Sequence, residues 1–431
     1  MKRTTATYRI HNFHLFKQQM LNWINRFNIC ALLDNNQYNS KHHSLECIAA
    51  AGCVRAFSTT ENLSHQLKSF LQDNQDWLFG HLNYDFKNEI EPLHSDHFDG
   101  ISFPDIFFFQ PETVLRLSAH EVEISSLTLS PSIIFSAINL EKTDLVSSQV
   151  GINPDPRIPK QSYLQIIEQL KKHILRGDCY EINFCQEFYV ENVLIHPQSL
   201  YTQLIEISPV PFACYYKLND KYLLCASPER YIRKSNNRII SQPIKGTYKR
   251  DLSDLHEDEL QKKRLTESEK EKSENVMVVD LVRNDLSKIC KEGSVHVEEL
   301  FGVYTFPQVH QMISTISGEL KEGTDFTDII YASFPMGSMT GAPKRRVMEL
   351  IEQYEQTKRG IYSGCIGYIS PENDFDFNVV IRSIAYNQTD GYLNYQVGSA
   401  ITFNSDAEKE YEECLLKAEA MKKVLNKQKF I

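Results

Sequence analysis

The sequence predicts an α+β fold of large, mostly antiparallel β-sheets. Segments in which polar and apolar residues alternate outnumber the helical segments, and this period of two is typical of strands. Asp390-Gly391 stands between two such segments and matches the dipeptide of a tight hairpin turn. Of the 431 residues, 42% are hydrophobic and 24% are charged, which excludes a disordered or collagen-like chain. Strands joined by hairpins favour the α+β class.

The individual elements follow from local patterns along the chain. A helix is predicted at 161–176 from its spacing of apolar residues, and charged helices are predicted at 256–290 and 407–425. Three prolines within 153–159 predict a linker that is neither helix nor sheet. We therefore expect an N-terminal region at 1–150 and a catalytic region at 151–431, both in one compact unit. The predicted strands are 180–190, 213–218, 222–226, 239–244, 365–370, 378–386 and 393–401.

Composition and charge exclude several classes of protein. The net charge of −10 argues against a nucleic-acid binder with a broad basic surface, and it means that an anionic substrate needs local positive charge. No apolar run is long enough for a membrane span, and no apolar segment of a signal peptide follows the basic start. Ten cysteines without a Cys-x-x-Cys pair indicate reduced thiols and predict a cytoplasmic protein without structural zinc.

Two acidic stripes are the first candidate site. Carboxylates at i, i+4 and i+7 share one face of a helix, where they repel each other unless a cation lies among them. Magnesium takes one or two protein carboxylates and completes its shell with water and substrate oxygens. The alternative is a solvated face neutralised by nearby lysines, although Glu274 opens an apolar helix and needs a partner there. The stripes are Glu267, Glu271 and Glu274, and Asp406, Glu410 and Glu413.

Lys245 and Glu229 are candidates for catalysis. Pro243 and Gly246 flank Lys245 and present it at the end of a strand, where a desolvated lysine can act as a nucleophile. Glu229 follows a predicted buried strand, and burial would raise its pKa enough for general-acid catalysis. The alternatives are a lysine that faces water and an ordinary turn pair between Glu229 and Arg230.

Two further segments are candidates for anion binding. The glycine-rich segment 334–344 lets backbone amides approach an anion where the next helix begins, near Pro343. Arg382 lies in an otherwise apolar predicted strand and requires an anion, either a substrate carboxylate or an internal salt-bridge partner.

Together, these segments resemble the chorismate-utilising enzymes, a family that includes anthranilate, aminodeoxychorismate, isochorismate and salicylate synthases. The similarity covers residues 150–425. The motifs that carry it are Ser-Pro-Glu-Arg at 227–230, Pro-Ile-Lys-Gly-Thr at 243–247, 274–286, Phe-Pro-Met-Gly-Ser-Met-Thr-Gly-Ala-Pro-Lys at 334–344, Gly-Cys-Ile-Gly-Tyr at 364–368, Ile-Arg-Ser at 381–383 and 410–413.

The resemblance implies a fold and a set of site residues. The implied fold is that of anthranilate synthase component I, in which large antiparallel sheets pack as a sandwich with helices outside. The implied magnesium ligands are Glu274 and Glu413, with Glu271 and Glu410 as additional candidates. The implied catalytic groups are Lys245, Glu229 and His310, the last beside the ring of chorismate. The implied substrate-binding residues are Thr340, Tyr368, Arg382, Gly398, Ser399 and Ala400.

Within the family, Lys245 favours amination of chorismate to 4-amino-4-deoxychorismate, for 4-aminobenzoate and folate synthesis. The resemblance implies that Lys245 attacks C2 while the C4 hydroxyl leaves, and that ammonia then adds at C4 and expels the lysine. Anthranilate-forming members, the first alternative, usually have alanine at this position. Isochorismate-forming members, the second, have a lysine where this chain has Glu181.

Three features complete the comparison with the family. Amine-using members usually have glutamine where this chain has Glu181, and glycines are more usual at Ser399-Ala400. No cysteine lies in a Gly-x-Cys-x-Gly elbow. We therefore expect a separate glutamine amidotransferase subunit to supply ammonia.

Overall fold

The computed structural model describes residues 2–38, 41–59, 63–73, 75–143, 151–306 and 309–426. The end of the predicted N-terminal region (144–150) and the end of the predicted catalytic region (427–431) lie outside the described residues. The strands are β1 (Thr4–Arg9), β2 (Ile29–Asp34), β3 (Cys47–Ala51), β4 (Arg55–Phe57), β5 (Leu78–Leu82), β6 (Ile106–Gln110), β7 (Thr113–Leu117), β8 (Glu121–Ser126), β9 (Asp155–Pro156), β10 (Glu181–Val190), β11 (Phe212–Leu218), β12 (Lys221–Ser227), β13 (Arg230–Ser235), β14 (Arg238–Gln242), β15 (Ile244–Lys249), β16 (His296–Thr305), β17 (Val309–Glu319), β18 (Gly341–Ala342), β19 (Cys365–Ile369), β20 (Phe375–Asn378), β21 (Ser383–Asn387) and β22 (Tyr392–Ile401).

Helices connect these strands and cover the outer faces of the sheets. Among the described residues, none of them is both long and apolar enough to cross a membrane. The α-helices are α1 (Phe13–Ile24), α2 (Leu63–Gln72), α3 (Lys87–Ile90), α4 (Pro131–Asn139), α5 (Lys160–Leu175), α6 (Pro197–Ile207), α7 (Leu255–Glu267), α8 (Glu269–Ile289), α9 (Phe326–Ser333), α10 (Lys344–Tyr354), α11 (Ala407–Lys417) and α12 (Glu419–Leu425), with single 3-10 turns at Tyr84–Phe86 and Gly337–Met339.

The strands form two large sheets. The first sheet has 12 strands in the order β1-β8-β7-β3-β2-β11-β12-β21-β22-β10-β18, with β9 paired to β10. The second has 10 strands in the order β15-β17-β14-β13-β20-β19-β5-β6-β4, with β16 paired to β17. Every ladder between these named strands is antiparallel. The predicted α+β class with large antiparallel sheets is therefore confirmed.

The hydrophobic core has three layers. The middle layer lies between the sheets and contains side chains of both, such as Ala50 and Tyr216 from the first and Phe79 and Ile366 from the second. A second layer packs the outer face of the first sheet against α1, α4, α5, α6, α10, α11 and α12. A third packs the outer face of the second sheet against α2, α8 and α9. The two inner faces therefore meet as in a sandwich, with helices outside.

Four predicted elements differ in detail. The helix predicted at 256–290 is two helices, because Ser268 adopts an extended conformation and caps α8 with its side chain. The final helix is likewise divided at Ala418. The predicted strand 378–386 is interrupted between β20 and β21, where Arg382 has a positive φ of 52°. The proline-rich linker contributes β9 to the sheet edge, a position that tolerates proline because no partner needs its missing N–H.

Strands from before residue 150 lie in both sheets. β1–β3, β7 and β8 belong to the first sheet, whereas β4–β6 form one edge of the second. Each sheet therefore combines strands from both parts of the chain. The boundary at 150 stays a prediction.

We predict that Phe79→Ala strongly destabilises the fold. Phe79 is fully buried between the sheets and contacts the rings of Phe109 and Tyr368. Its truncation removes apolar burial and leaves a cavity that packed sheets cannot close. We expect a loss of about 3–5 kcal/mol in the free energy of unfolding, measured by urea denaturation.

Leu194→Ala is the control, because Leu194 is 86% exposed and its truncation should change the free energy of unfolding by less than about 0.5 kcal/mol. Equal effects of the two substitutions would contradict the assignment of the middle layer as a tightly packed core.

Candidate active site

A cleft opens at one end of the sandwich, where β10 and β22 of the first sheet face β15 and β17 of the second. Helices α8 and α11 close its outer side. Its empty volume, including the open mouth, is about 820 Å³. Of the residues predicted from the sequence, eight line this cleft: Glu229, Lys245, Glu271, Glu274, Arg382, Gly398, Ala400 and Glu413. The two sheets and two helices thus bring together residues that are far apart in the chain.

Lys245 enters the cleft at an irregular point of β15. The register between β15 and β17 shifts between Ile244 and Thr247, and Gly246 has a φ of +88°, which glycine adopts without strain. Lys245 is only 7% exposed, and its Nζ lies 2.6 Å from Oε1 of Glu181, the first residue of β10. Lys245 and Glu181 therefore form a buried ion pair between the two sheets.

The pKa of Lys245 reflects this environment. Burial alone would lower the pKa of Lys245, but the carboxylates of Glu181 and Glu274 outweigh it, so the net shift is upward. The resting side chain is therefore an ammonium group. It must lose a proton before it can act as a nucleophile.

Glu229 lies in the turn between β12 and β13, and it is 4% exposed. Its Oε1 accepts a hydrogen bond of 2.6 Å from the hydroxyl of Ser338, which lies within the glycine-rich segment 334–344. Burial raises the pKa of Glu229 to about 7, while the bond from Ser338 and the charge of Lys245 oppose the rise. A carboxyl group with this pKa can donate a proton near neutral pH.

Arg382 supplies positive charge at the floor of the cleft. It lies in the bend between β20 and β21, where its φ is 52°. Among the described residues, none accepts a hydrogen bond from its guanidinium or forms an ion pair with it, although burial lowers its pKa. A half-buried guanidinium without an ion-pair partner is a strong site for a carboxylate. The predicted internal salt bridge of Arg382 is therefore absent from the described structure.

Four carboxylates line or approach the cleft from the two acidic helices. Glu271 and Glu274 are on α8, and Glu410 and Glu413 are on α11. Burial raises the pKa of Glu274 to about 8, against the charges of Lys245 and Lys270. Oε1 of Glu274 and Oε2 of Glu410 are buried and accept no hydrogen bond.

These carboxylates fit a magnesium ion. Within the described ranges, no three or more His, Cys, Asp or Glu side chains converge as a ready-made metal cage. Magnesium does not require such a cage, because it binds through one or two carboxylates and keeps water or substrate oxygens as its other ligands. The observation that favours a cation here is that Glu274 Oε1 and Glu410 Oε2 are buried without a hydrogen bond.

Tyr368 lies outside the cleft, which corrects its predicted role as a substrate-binding residue. It lines a separate cavity beside Asp376 and packs against the rings of Trp77 and Phe79 in the layer between the sheets. The tyrosine that lines the cleft is Tyr362, in the loop before β19.

His310 also points away from the cleft. Its Nε2 lies 3.0 Å from Oδ1 of Asp258 on α7, and its Nδ1 lies 3.0 Å from Oγ1 of Thr305. Because side chains alternate along β17, the next residue, Gln311, faces the cleft instead. The Gln311 Oε1 atom is buried and has no hydrogen-bond partner in the described structure. The predicted position of His310 beside the substrate is therefore wrong, because the next residue of the strand, Gln311, faces the cleft.

The same alternation separates three residues on β22. Gly398 and Ala400 line the cleft, whereas the Ser399 hydroxyl lies on the opposite face, 3.4 Å from the Tyr163 hydroxyl. The Thr340 hydroxyl is also used internally, since it donates to the Met336 carbonyl at 3.0 Å. Neither Ser399 nor Thr340 therefore lines the cleft, which corrects their predicted role in substrate binding.

Lys417 is a cleft residue that the sequence interpretation missed. It lies one helical turn after Glu413 on α11, and its Nζ is 2.7 Å from Oε1 of Glu413 and 2.9 Å from the Gly398 carbonyl. The i, i+4 spacing from Glu413 is a signal that could have identified Lys417. Gln311 and Tyr362 carry no such signal, because only the packing of their strand or loop directs them into the cleft.

Comparison with known proteins agrees with this architecture. The family model for chorismate binding enzymes matches residues 17–423. Aminodeoxychorismate synthase component 1 of Bacillus subtilis (strain 168) is 32% identical over 392 residues, which cover 86% of this chain and 82% of that protein. Anthranilate synthase component 1 of Aquifex aeolicus (strain VF5) is 36% identical over 266 residues, 62% of this chain and 53% of that protein.

A solved structure shows the same fold. Anthranilate synthase component I from Streptococcus pneumoniae TIGR4 superposes with a TM-score of 0.75 at 24% identity, covering 90% of this chain and 95% of that chain. The family match spans both sheets and the acidic helices that form the cleft. The chain therefore belongs to the chorismate binding enzymes, and within them to the family of aminodeoxychorismate synthase component I.

Proposed function

We propose that this enzyme aminates chorismate with ammonia to give 4-amino-4-deoxychorismate, a precursor of 4-aminobenzoate and folate. The observation that carries the proposal is the buried Lys245, which faces the same cleft as Glu229 and the unpaired Arg382. These three groups supply a nucleophile, a proton donor and a carboxylate-binding cation. Similarity to a Bacillus subtilis protein named as an aminodeoxychorismate synthase component supports the same choice.

Arg382 and Lys417 bind the carboxylates of chorismate in this proposal. Both line the cleft and also a second cavity that shares these residues with it. Arg382 has no protein acceptor among the described residues, so a substrate carboxylate gives its guanidinium a partner. Gly398 and Ala400 leave room for the ring, because neither has a side chain beyond Cβ.

The chemical steps use Lys245, Glu181 and Glu229. Glu181, 2.6 Å from the Lys245 ammonium, accepts its proton and frees the lone pair. The amine then attacks C2 of chorismate while the C4 hydroxyl leaves as water with a proton from Glu229. Ammonia adds at C4 and expels the Lys245 amine from C2, so the ring keeps its enolpyruvyl group.

Glu274 and Glu413 would hold a magnesium ion, with Glu271 and Glu410 nearby on the same two helices. When bound, magnesium would supply positive charge close to the anionic substrate. Glu274 Oε1 and Glu410 Oε2 support this assignment, because both atoms are buried without a hydrogen bond and a bound cation would satisfy them.

Ammonia comes from a glutamine amidotransferase subunit in this proposal. The Bacillus subtilis relative is named component 1, a name that implies a second component for that protein.

The cysteines expected for a reduced, cytoplasmic protein are all free thiols in the described structure, and nine of them are buried. We place the enzyme and its partner in the cytoplasm.

Product identification tests the proposal directly. The purified protein is incubated with chorismate, MgCl₂ and ammonium at mildly alkaline pH, with and without an added aminodeoxychorismate lyase. We expect 4-aminobenzoate only when the lyase is present, because the enzyme alone leaves the enolpyruvyl group in place. Anthranilate and pyruvate formed without the lyase would refute the proposal in favour of an anthranilate synthase.

We predict that Lys245→Ala lowers the rate of amination on the order of 10³-fold or more, as expected for loss of a nucleophile. Chorismate affinity should change little, because Arg382 and Lys417 remain. The rate is measured by the lyase-coupled assay, and the affinity by calorimetry. Lys221→Ala, at the distant start of β12, serves as the control. A variant at position 245 with the wild-type rate would exclude the covalent mechanism.

We predict that Glu229 determines the alkaline side of the pH profile. A general acid must be protonated, so kcat should fall as the pH rises through about 7, the pKa of Glu229. Ser338→Ala removes a hydrogen bond that lowers this pKa and should move the descending limb to higher pH. Glu229→Gln should lower kcat by about 10²–10⁴-fold and abolish the limb. If that limb persisted in Glu229→Gln, another group would be the acid.

A further inference from the structure

Lys270 lies between the two acidic helices at the candidate magnesium site. It is in the first turn of α8, and its Nζ is 3.7 Å from Oε1 of Glu274 and 3.5 Å from Oε1 of Glu410 on α11. Glu274 is 6% exposed and Glu410 is 2% exposed, whereas the Lys270 side chain is 44% exposed. A flexible ammonium group thus reaches from solvent to two buried carboxylates on different helices.

The other lysines of the cleft are already engaged. Lys245 pairs with Glu181 at 2.6 Å, and Lys417 pairs with Glu413 at 2.7 Å. Lys270 is within ion-pair distance of both Glu274 and Glu410 and so connects the two helices. Its two ion pairs are long, and each carboxylate keeps a buried oxygen without a hydrogen bond. This compensation is incomplete, as expected when one charge serves two carboxylates.

We propose that Lys270 is a tethered counter-ion that takes the place of the divalent cation between α8 and α11 and is displaced when magnesium binds. The inference rests on the magnesium assignment of the proposed function. An ammonium group carries one charge and three donors, whereas magnesium carries two charges and binds carboxylate oxygens at about 2.0–2.1 Å. The exposed stem of Lys270 leaves it a path back into solvent.

Displacement has two opposing consequences. In the metal-free protein, Lys270 stabilises the packing of α8 against α11 by reducing repulsion among the carboxylates. During metal binding, the same side chain competes with the ion, since its contacts must be broken first. Lys270 therefore weakens the affinity for magnesium and stabilises the packing of α8 against α11 when no metal is bound.

The test compares Lys270→Gln with Lys272→Gln in the full chain. Lys272 is two residues further along α8 and pairs with the exposed Glu269 at 3.2 Å, so its substitution makes the same change in net charge without touching the buried carboxylates. Calorimetric titration with MgCl₂ alone measures the affinity without chorismate. We expect Lys270→Gln to bind magnesium about threefold to tenfold more tightly than Lys272→Gln.

Thermal unfolding gives a second readout that does not depend on activity. Without metal, Lys270→Gln should unfold at a lower temperature than Lys272→Gln, and added MgCl₂ should raise its midpoint by a larger amount. Equal or weaker magnesium affinity in Lys270→Gln, with a wild type that binds magnesium, would overturn only the counter-ion proposal. A wild type that neither binds magnesium nor gains stability from it would overturn the magnesium assignment as well.

Discussion

The ion pair between Glu181 and Lys245 joins the two sheets where the cleft opens. Glu181 is the first residue of β10 and Lys245 is the second residue of β15, so this contact joins the start of one strand to the start of the other. A buried pair of this kind costs desolvation energy, and removal of one partner leaves the other charge uncompensated. The same contact helps to raise the pKa of Lys245 against the effect of burial.

The rest of the cleft is organised around charge compensation. Lys245 pairs with Glu181 of β10, whereas Lys270 and Lys417 pair with carboxylates of α8 and α11. Glu274, Glu410 and Lys245 are buried among these groups. Arg382 is the exception, because its guanidinium faces the cleft without a protein acceptor among the described residues. The site therefore combines a surplus of buried carboxylate oxygens with one unpaired cation. This is the pattern expected where a metal ion and an anionic substrate complete the balance.

The corrections at His310 and Ser399 share one physical cause. Consecutive residues of a strand point to opposite faces, so a difference of one position moves a side chain out of the site. His310 contacts Asp258, while Gln311 faces the cleft; likewise Ser399 faces Tyr163, while Gly398 and Ala400 line the cleft. A motif identifies a segment of the chain, but the register of the sheet selects which of its residues meet the substrate.

The sequence by itself predicted the α+β class, which depends on local patterns such as the alternation of polar and apolar residues in strands. Its motifs made Lys245, Glu229 and Arg382 candidates, and the resemblance to the chorismate-utilising enzymes implied their roles. Only the tertiary structure decided that Glu181 meets Lys245 and that Lys270 bridges Glu274 and Glu410. The contacts of Lys245 with Glu181 and of Lys270 with Glu410 join residues far apart in sequence, and they arise from the packing of separate sheets and helices.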